Sequence, residues 1–117
     1  MKKTTFNLLL TTYENFKGIE VEGYKLQRNK DVYDVAIVDT SKYLQLAKTQ
    51  KKKWWLCYFI CMDYYVLVKD YDTLKECLEH AEEESFKASS YLAYNKPVLE
   101  DLVKKCMKLE GMIKGEL

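Results

Sequence analysis

Fifteen consecutive residues, Trp54 to Val68, carry a single charge, Asp63, and neither glycine nor proline. The run is too short to cross a membrane as a helix, which takes about 20 apolar residues, and Asp63 interrupts it. Its aromatic and β-branched content predicts two strands, Trp54–Cys61 and Tyr64–Lys69, turning at Met62-Asp63. That pair lacks the glycine that a two-residue hairpin turn prefers. Such apolar strands need cover on both faces, so the rest of the chain is read as what packs around them.

The flanking segments supply that cover. Phe6, Leu9, Leu10, Tyr13 and Phe16 recur at helical spacing, which predicts an N-terminal helix over 5–17, with Gly18 at its end; the β-branched Thr11 and Thr12 leave an edge strand as the alternative. From Ile19 the period changes to two. Ile19 and Val21 alternate with Glu20 and Glu22, and Tyr24 and Leu26 resume on the other parity. A bulge at Gly23 would account for that switch. Arg28-Asn29-Lys30-Asp31 reads as a turn, and Val32–Asp39 as the second arm of an antiparallel hairpin. Within residues 40–53, Tyr43, Leu44, Leu46 and Ala47 suit either a short helix or a short strand, and Lys48-Thr49-Gln50-Lys51-Lys52-Lys53 reads as a basic loop. Thr73-Leu-Lys-Glu76 is a capping box. Leu74, Cys77, Leu78, Ala81, Ser85, Ala88 and Leu92 then form one helical stripe. Phe86, Tyr91 and Tyr94 lie off it. Asn95-Lys96-Pro97 is read as the break before a last helix, whose aligned residues are Leu99, Leu102, Val103, Cys106 and Ile113.

The expected fold is α+β, one domain over residues 1–117. An antiparallel sheet of about four strands is packed by an N-terminal helix and two C-terminal helices. A chain of 117 residues can stabilise one core without a metal or a disulfide. The cysteines, Cys57, Cys61, Cys77 and Cys106, are expected to be reduced core residues in a cytoplasmic protein.

Charge limits the partners. The net charge of +1 gives no global attraction to nucleic acid or to an anionic membrane. Of 19 basic residues only Arg28 is arginine, which disfavours sequence-specific DNA reading. The charge is split along the chain. Residues 1–53 carry 11 basic and 6 acidic side chains, net +5, and residues 54–94 carry 3 and 8, net −5. Residues 95–117 are net +1. The excess of lysine and tyrosine resembles the coding bias of an AT-rich genome, as in low-GC bacteria, their phages and mobile elements.

No catalytic residue, cofactor or metal is assigned. Cys57 and Cys61, four apart on a strand, stand about 13 Å apart, too far to share a zinc ion. Cys77 and His80 could chelate together on a helix but lack further ligands at suitable spacing. His80 is the only histidine, so a small enzyme centred on His80 and a cysteine is one alternative. Neither a nucleophile elbow nor a glycine-rich phosphate loop accompanies it.

Two segments are candidate partner-binding sites. Lys51, Lys52 and Lys53 precede Trp54 and Trp55. This arrangement could grip single-stranded nucleic acid, or merely keep a loop soluble and guard a sheet edge. Adjacent strand residues face opposite ways, so one tryptophan enters the core and the other lies on the outer face. Glu79, Glu82, Glu83 and Glu84 form an acidic helix surface that is ordinarily just solvated, but can occupy a basic groove on another protein.

The passage Tyr64–Ala81 runs from a strand into a helix through Asp72-Thr73-Leu74-Lys75-Glu76. It resembles the strand-to-helix junction of small antitoxins of the HicB type. The resemblance covers about a sixth of the chain. It lacks that family's glycine-rich strand and DNA-binding tail, so it implies shared capping chemistry and no shared function.

The leading expectation is therefore a non-enzymatic module that binds another protein. It would be an accessory protein of a phage or mobile element that inhibits a host defence protein by docking on it. The alternative is a nucleic-acid-binding module built on Lys51–Trp55. Homodimerisation through the sheet, or through Phe86 and Tyr94, is open. A membrane partner is not expected.

Overall fold

The computed structural model describes residues 2–11, 16–28 and 31–116, with side chains described except at 11, 27–28, 31–33 and 109–116. Five strands follow one another: β1 (Lys2–Thr11), β2 (Phe16–Arg28), β3 (Asp31–Asp39), β4 (Trp54–Cys61) and β5 (Tyr64–Tyr71). Each pairs antiparallel with the next. A short parallel pairing of Asn7–Leu9 with Tyr64–Val66 then closes the sheet into a barrel. A 3₁₀ turn (Thr40–Lys42) and α1 (Leu44–Ala47) join β3 to β4. A single long helix, α2 (Leu74–Glu116), completes the chain.

The α+β class stands, with three corrections to the expected elements. First, the segment expected as an N-terminal helix is β1, which pairs with β2 in unbroken register from Lys2↔Lys25 to Thr11↔Phe16. The helical spacing misled because β1 is buried on both faces. Phe6 and Leu8 point into the barrel, while Leu9 packs outward under α2. Residues 12–15, including Tyr13 of the expected stripe, lie outside the described residues. The sheet accordingly has five strands, one more than expected.

Second, the expected break at Asn95-Lys96-Pro97 is absent, and Pro97 sits inside α2. A proline in a helix interior costs about 3 kcal/mol, because it lacks the N–H that would bond four residues back. Tertiary packing overrides that cost. The buried positions continue in phase on both sides, through Ala88 and Leu92 to Val103 and Cys106.

Third, Gly23 is not a bulge. Its pairing with Thr4 is regular, and the irregularity in β2 lies between Lys25 and Gln27. A Cβ at Gly23 would stand 2.7 Å from a Phe6 ring carbon and 2.8 Å from the Ile37 carbonyl oxygen, so glycine is what lets these groups approach. The parity switch in β2 has another cause. Val21 faces the barrel interior, whereas Leu26 joins the cluster under α2. The predicted turn residues Asn29 and Lys30 lie outside the described residues.

Three apolar clusters follow from this arrangement. The barrel interior holds Phe6, Leu8, Val21, Ala36, Val38, Trp55, Cys57 and Tyr65, with Leu46 of α1 packed among them. The Tyr65 ring lies 4.3 Å from Phe6 and 5.5 Å from Phe59, in tilted and edge-on contacts. Outside the barrel, Val35, Ile37, Leu56 and Tyr71 receive Cys77 and Ala81 from the start of α2. Leu9, Ile60 and Tyr64 receive Val103 and Cys106 from farther along it. The helix is thus held at two places on the barrel wall.

The β4–β5 hairpin turns at Met62-Asp63 as predicted, between the paired Cys61 and Tyr64. Met62 adopts φ 54°, the left-handed conformation that a glycine would take without strain. Thr73 caps α2, accepting the Glu76 N–H at 3.1 Å.

Candidate docking surface

The residues singled out from sequence separate into two places with different surroundings. Trp55 is 1% exposed and fills the barrel interior, its indole N–H donating to the Lys52 carbonyl at 2.9 Å. Trp54 takes the outer parity and is half-buried, with the Lys53 ammonium 5.4 Å from its ring centroid. The lysines beside them face carboxylates. Lys52 reaches Asp72 at 3.6 Å and Lys53 reaches Asp39 at 3.9 Å. The Lys52 backbone N–H donates to Asp70 at 2.7 Å. Thr40 draws the loop closed by donating from both its N–H and its hydroxyl to the Lys53 carbonyl. The 51–53 loop is therefore pinned at the start of β4, and the charges of Lys52 and Lys53 are answered locally. Lys51 is exposed. β4, which follows these lysines, is paired on both sides, with β3 and with β5, so the lysines do not border an open edge of that strand.

The acidic residues also divide. Glu79, Glu82 and Glu83 are exposed on α2. Glu79 reaches Lys75 at 4.0 Å and Glu83 reaches Lys87 at 3.0 Å. Lys87 holds the Glu83 carboxyl below its usual range, first by hydrogen bonding and then by charge. Glu84 instead turns toward the barrel, where its side chain is only 14% exposed and contacts Lys69 at 3.3 Å. It ties the helix to β5 and presents little to a partner.

His80 stands on the exposed side of the first turns of α2. Its Nδ1 lies 2.8 Å from the Glu76 carbonyl oxygen, and its ring stacks on Tyr71 at 5.8 Å. It lines neither of the two described clefts. The thiols nearby are poor nucleophiles. Burial pushes the Cys57 thiol upward and the Cys77 thiol up to about 12. Burial also raises the half-buried Cys61. Among the described residues no three His, Cys, Asp or Glu side chains gather where they could hold a metal ion. Nor is any described helix long and apolar enough to cross a membrane.

What the structure adds is a second apolar face on α2. Phe86 is 79% exposed and Tyr94 90%, and Val98 is also largely in solvent, while the exposed Tyr91 sits to the side, bordering the cleft toward Val66–Val68. The sequence signalled this, since Phe86, Tyr91 and Tyr94 fall off the buried stripe. Val98 was hidden by the assumed break at Pro97. Leu78, expected in the buried stripe, lies at its margin and is exposed. Below this face the middle of the helix is loosely supported. One cleft of about 300 Å³ lies between α2 and Tyr58–Ile60, and another of about 490 Å³ lies between α2 and Val66–Val68. Ala88 and Leu92 are the buried apolar residues of that span. Comparison with protein-family models, with curated proteins and with solved structures returned no match.

Proposed function

We propose that this chain is a non-enzymatic protein-docking module. In this reading the barrel is a rigid platform and the outer face of α2 is the working surface. The observation that carries it is the exposure of Phe86 and Tyr94 on one side of a helix whose opposite side is buried. Isolated exposed apolar residues are ordinary, but several large ones on one helix face mark an interaction site. Aromatic side chains give large contact area with few rotatable bonds, and they recur at interface hot spots. The acidic turn that leads into this face, Glu79–Glu83, adds charge selectivity. An accessory protein that inhibits a host protein by covering part of its surface is the biological role this fits.

The test is site-specific crosslinking in the full chain. A photoreactive residue at position 94 is expected to capture a protein that the same group at Lys17, exposed on β2, does not. Phe86→Ser with Tyr94→Ser should abolish that capture while thermal stability changes little. Equal capture from both positions, or none from 94, contradicts the proposal. Nucleic-acid docking at Lys51–Trp55 has less support, because one indole is buried and two of the lysines face carboxylates.

A further inference from the structure

The outer face of α2 carries a charge order that matches its own reverse. At about 3.6 residues per turn, Glu79, Glu83, Phe86, Tyr94, Lys104 and Lys108 recur at intervals built from threes and fours, so they line one side of the helix. Each of them is exposed. The order along that side is acidic, then aromatic, then basic.

We propose that this face pairs with the same face of a second copy, antiparallel and about a two-fold axis. The proposal rests on the docking reading above and names the occupant of that surface. The spacing carries it. Glu83 and Lys104 lie equally far from a point between Ala93 and Tyr94, and so do Glu79 and Lys108. Antiparallel pairing about that point sets Glu79 against Lys108 and Glu83 against Lys104, twice each by symmetry. Tyr94 then meets its own counterpart near the axis, in the middle of the seam. A parallel pairing would instead set glutamate on glutamate and lysine on lysine, so the charges select the orientation as well as the partner. Forming these contacts gives up the Lys75–Glu79 and Lys87–Glu83 pairs, which are exposed pairs within one helix and contribute little. The barrel lies on the opposite side of α2 and leaves the seam accessible. Asp101 is the mismatch, because the same axis brings it opposite Phe86.

Sedimentation equilibrium of the full chain at low and high salt tests this, with circular dichroism confirming that each variant is folded. The wild type is expected to dimerise, more weakly at high salt. Lys104→Glu with Lys108→Glu should weaken the dimer by about tenfold or more, and so should Glu79→Lys with Glu83→Lys. All four substitutions together should restore it, because the charge order is inverted and remains self-complementary. Asp101→Asn should tighten it. A dimer indifferent to both charge reversals, or reversals whose combination fails to restore pairing, overturns the proposal. So does a wild type that stays monomeric at millimolar concentration. If that monomer is still captured by another protein through position 94, self-pairing alone falls. If it is captured by nothing, the docking reading falls with it.

Discussion

The barrel interior and the middle of α2 solve the burial problem in opposite ways. Inside the barrel, inward parity from all five strands meets at one centre, and Leu46 of α1 packs into the same cluster. Along α2, one stripe is pressed on the barrel wall near Cys77 and again near Val103. Between those anchors the helix passes over two clefts and turns Phe86 and Tyr94 outward. The contrast places the densest packing in the barrel, and under the docking proposal the helix middle serves recognition, where low local stability is useful.

Substitution at matched sites should reproduce that asymmetry. Leu8→Ala opens a cavity inside the barrel among residues that cannot collapse into it, and should fall at the upper end of the range for a leucine truncation, about 4–5 kcal/mol by urea denaturation. Leu92→Ala, beside clefts that already exist, should fall at the lower end of the range for such truncations, about 2 kcal/mol. Equal losses would remove the distinction between the regions. Pro97→Ala acts on the helix alone. Pro97 is exposed and inside a continuous helix, so alanine should stabilise the protein by about 1–3 kcal/mol. Destabilisation there would mean that the chain needs the proline to follow the barrel wall.

Alkaline pH probes the two regions through their thiols. Cys57 lies inside the barrel and Cys77 under α2, and burial raises both above the ordinary value of 9.0. Above pH 9 the unfolded chain releases protons that the folded chain keeps. The stability associated with these thiols is therefore complete below pH 9 and declines as pH rises toward 12. Burial also brings Tyr65 and Tyr71 to about 12, which steepens the loss. Unfolding midpoints at pH 8 and pH 10.5 should differ less in Cys57→Ala and in Cys77→Ala than in wild type, and by similar amounts, because both folded thiols stay protonated at pH 10.5. Unchanged slopes in both variants would show that neither thiol is held from water. The smallest effect belongs to the hairpin between β4 and β5. Met62→Gly relieves a left-handed residue and should add about 0.5–1 kcal/mol, read as a higher melting temperature.

Much of the wall was legible in sequence. Apolar, β-branched and aromatic runs at Val32–Asp39 and Trp54–Cys61 gave β3 and β4, the capping box gave the start of α2, and adjacency required that only one of Trp54 and Trp55 could enter the core. Misreadings arose where two faces of one element are buried. In β1, Leu8 and Leu9 both find apolar partners, one inside and one outside the barrel, so the period of two is lost and a helical spacing emerges by coincidence. In α2 the local signal of Pro97 was weighed above the phase of the stripe. That phase runs from Leu92 to Leu99, two full turns, without a slip. Closure of β1 on β5 has no local signature, because parallel pairing between the first and last strands is a long-range event. At the candidate site, the exposed aromatics were visible as residues off the stripe. The local neutralisation of Lys52 and Lys53 was not, since Asp39 and Asp72 are distant in sequence from the lysines they approach.

The central claim, a stable barrel carrying a less stable helix span for recognition, is tested most directly by native-state hydrogen exchange in dilute protein. Amides of β3 and β4 should exchange only through global unfolding, whereas those of α2 between Ser85 and Val98 should open at distinctly lower free energy. Protection in that span equal to that of the barrel would contradict the account.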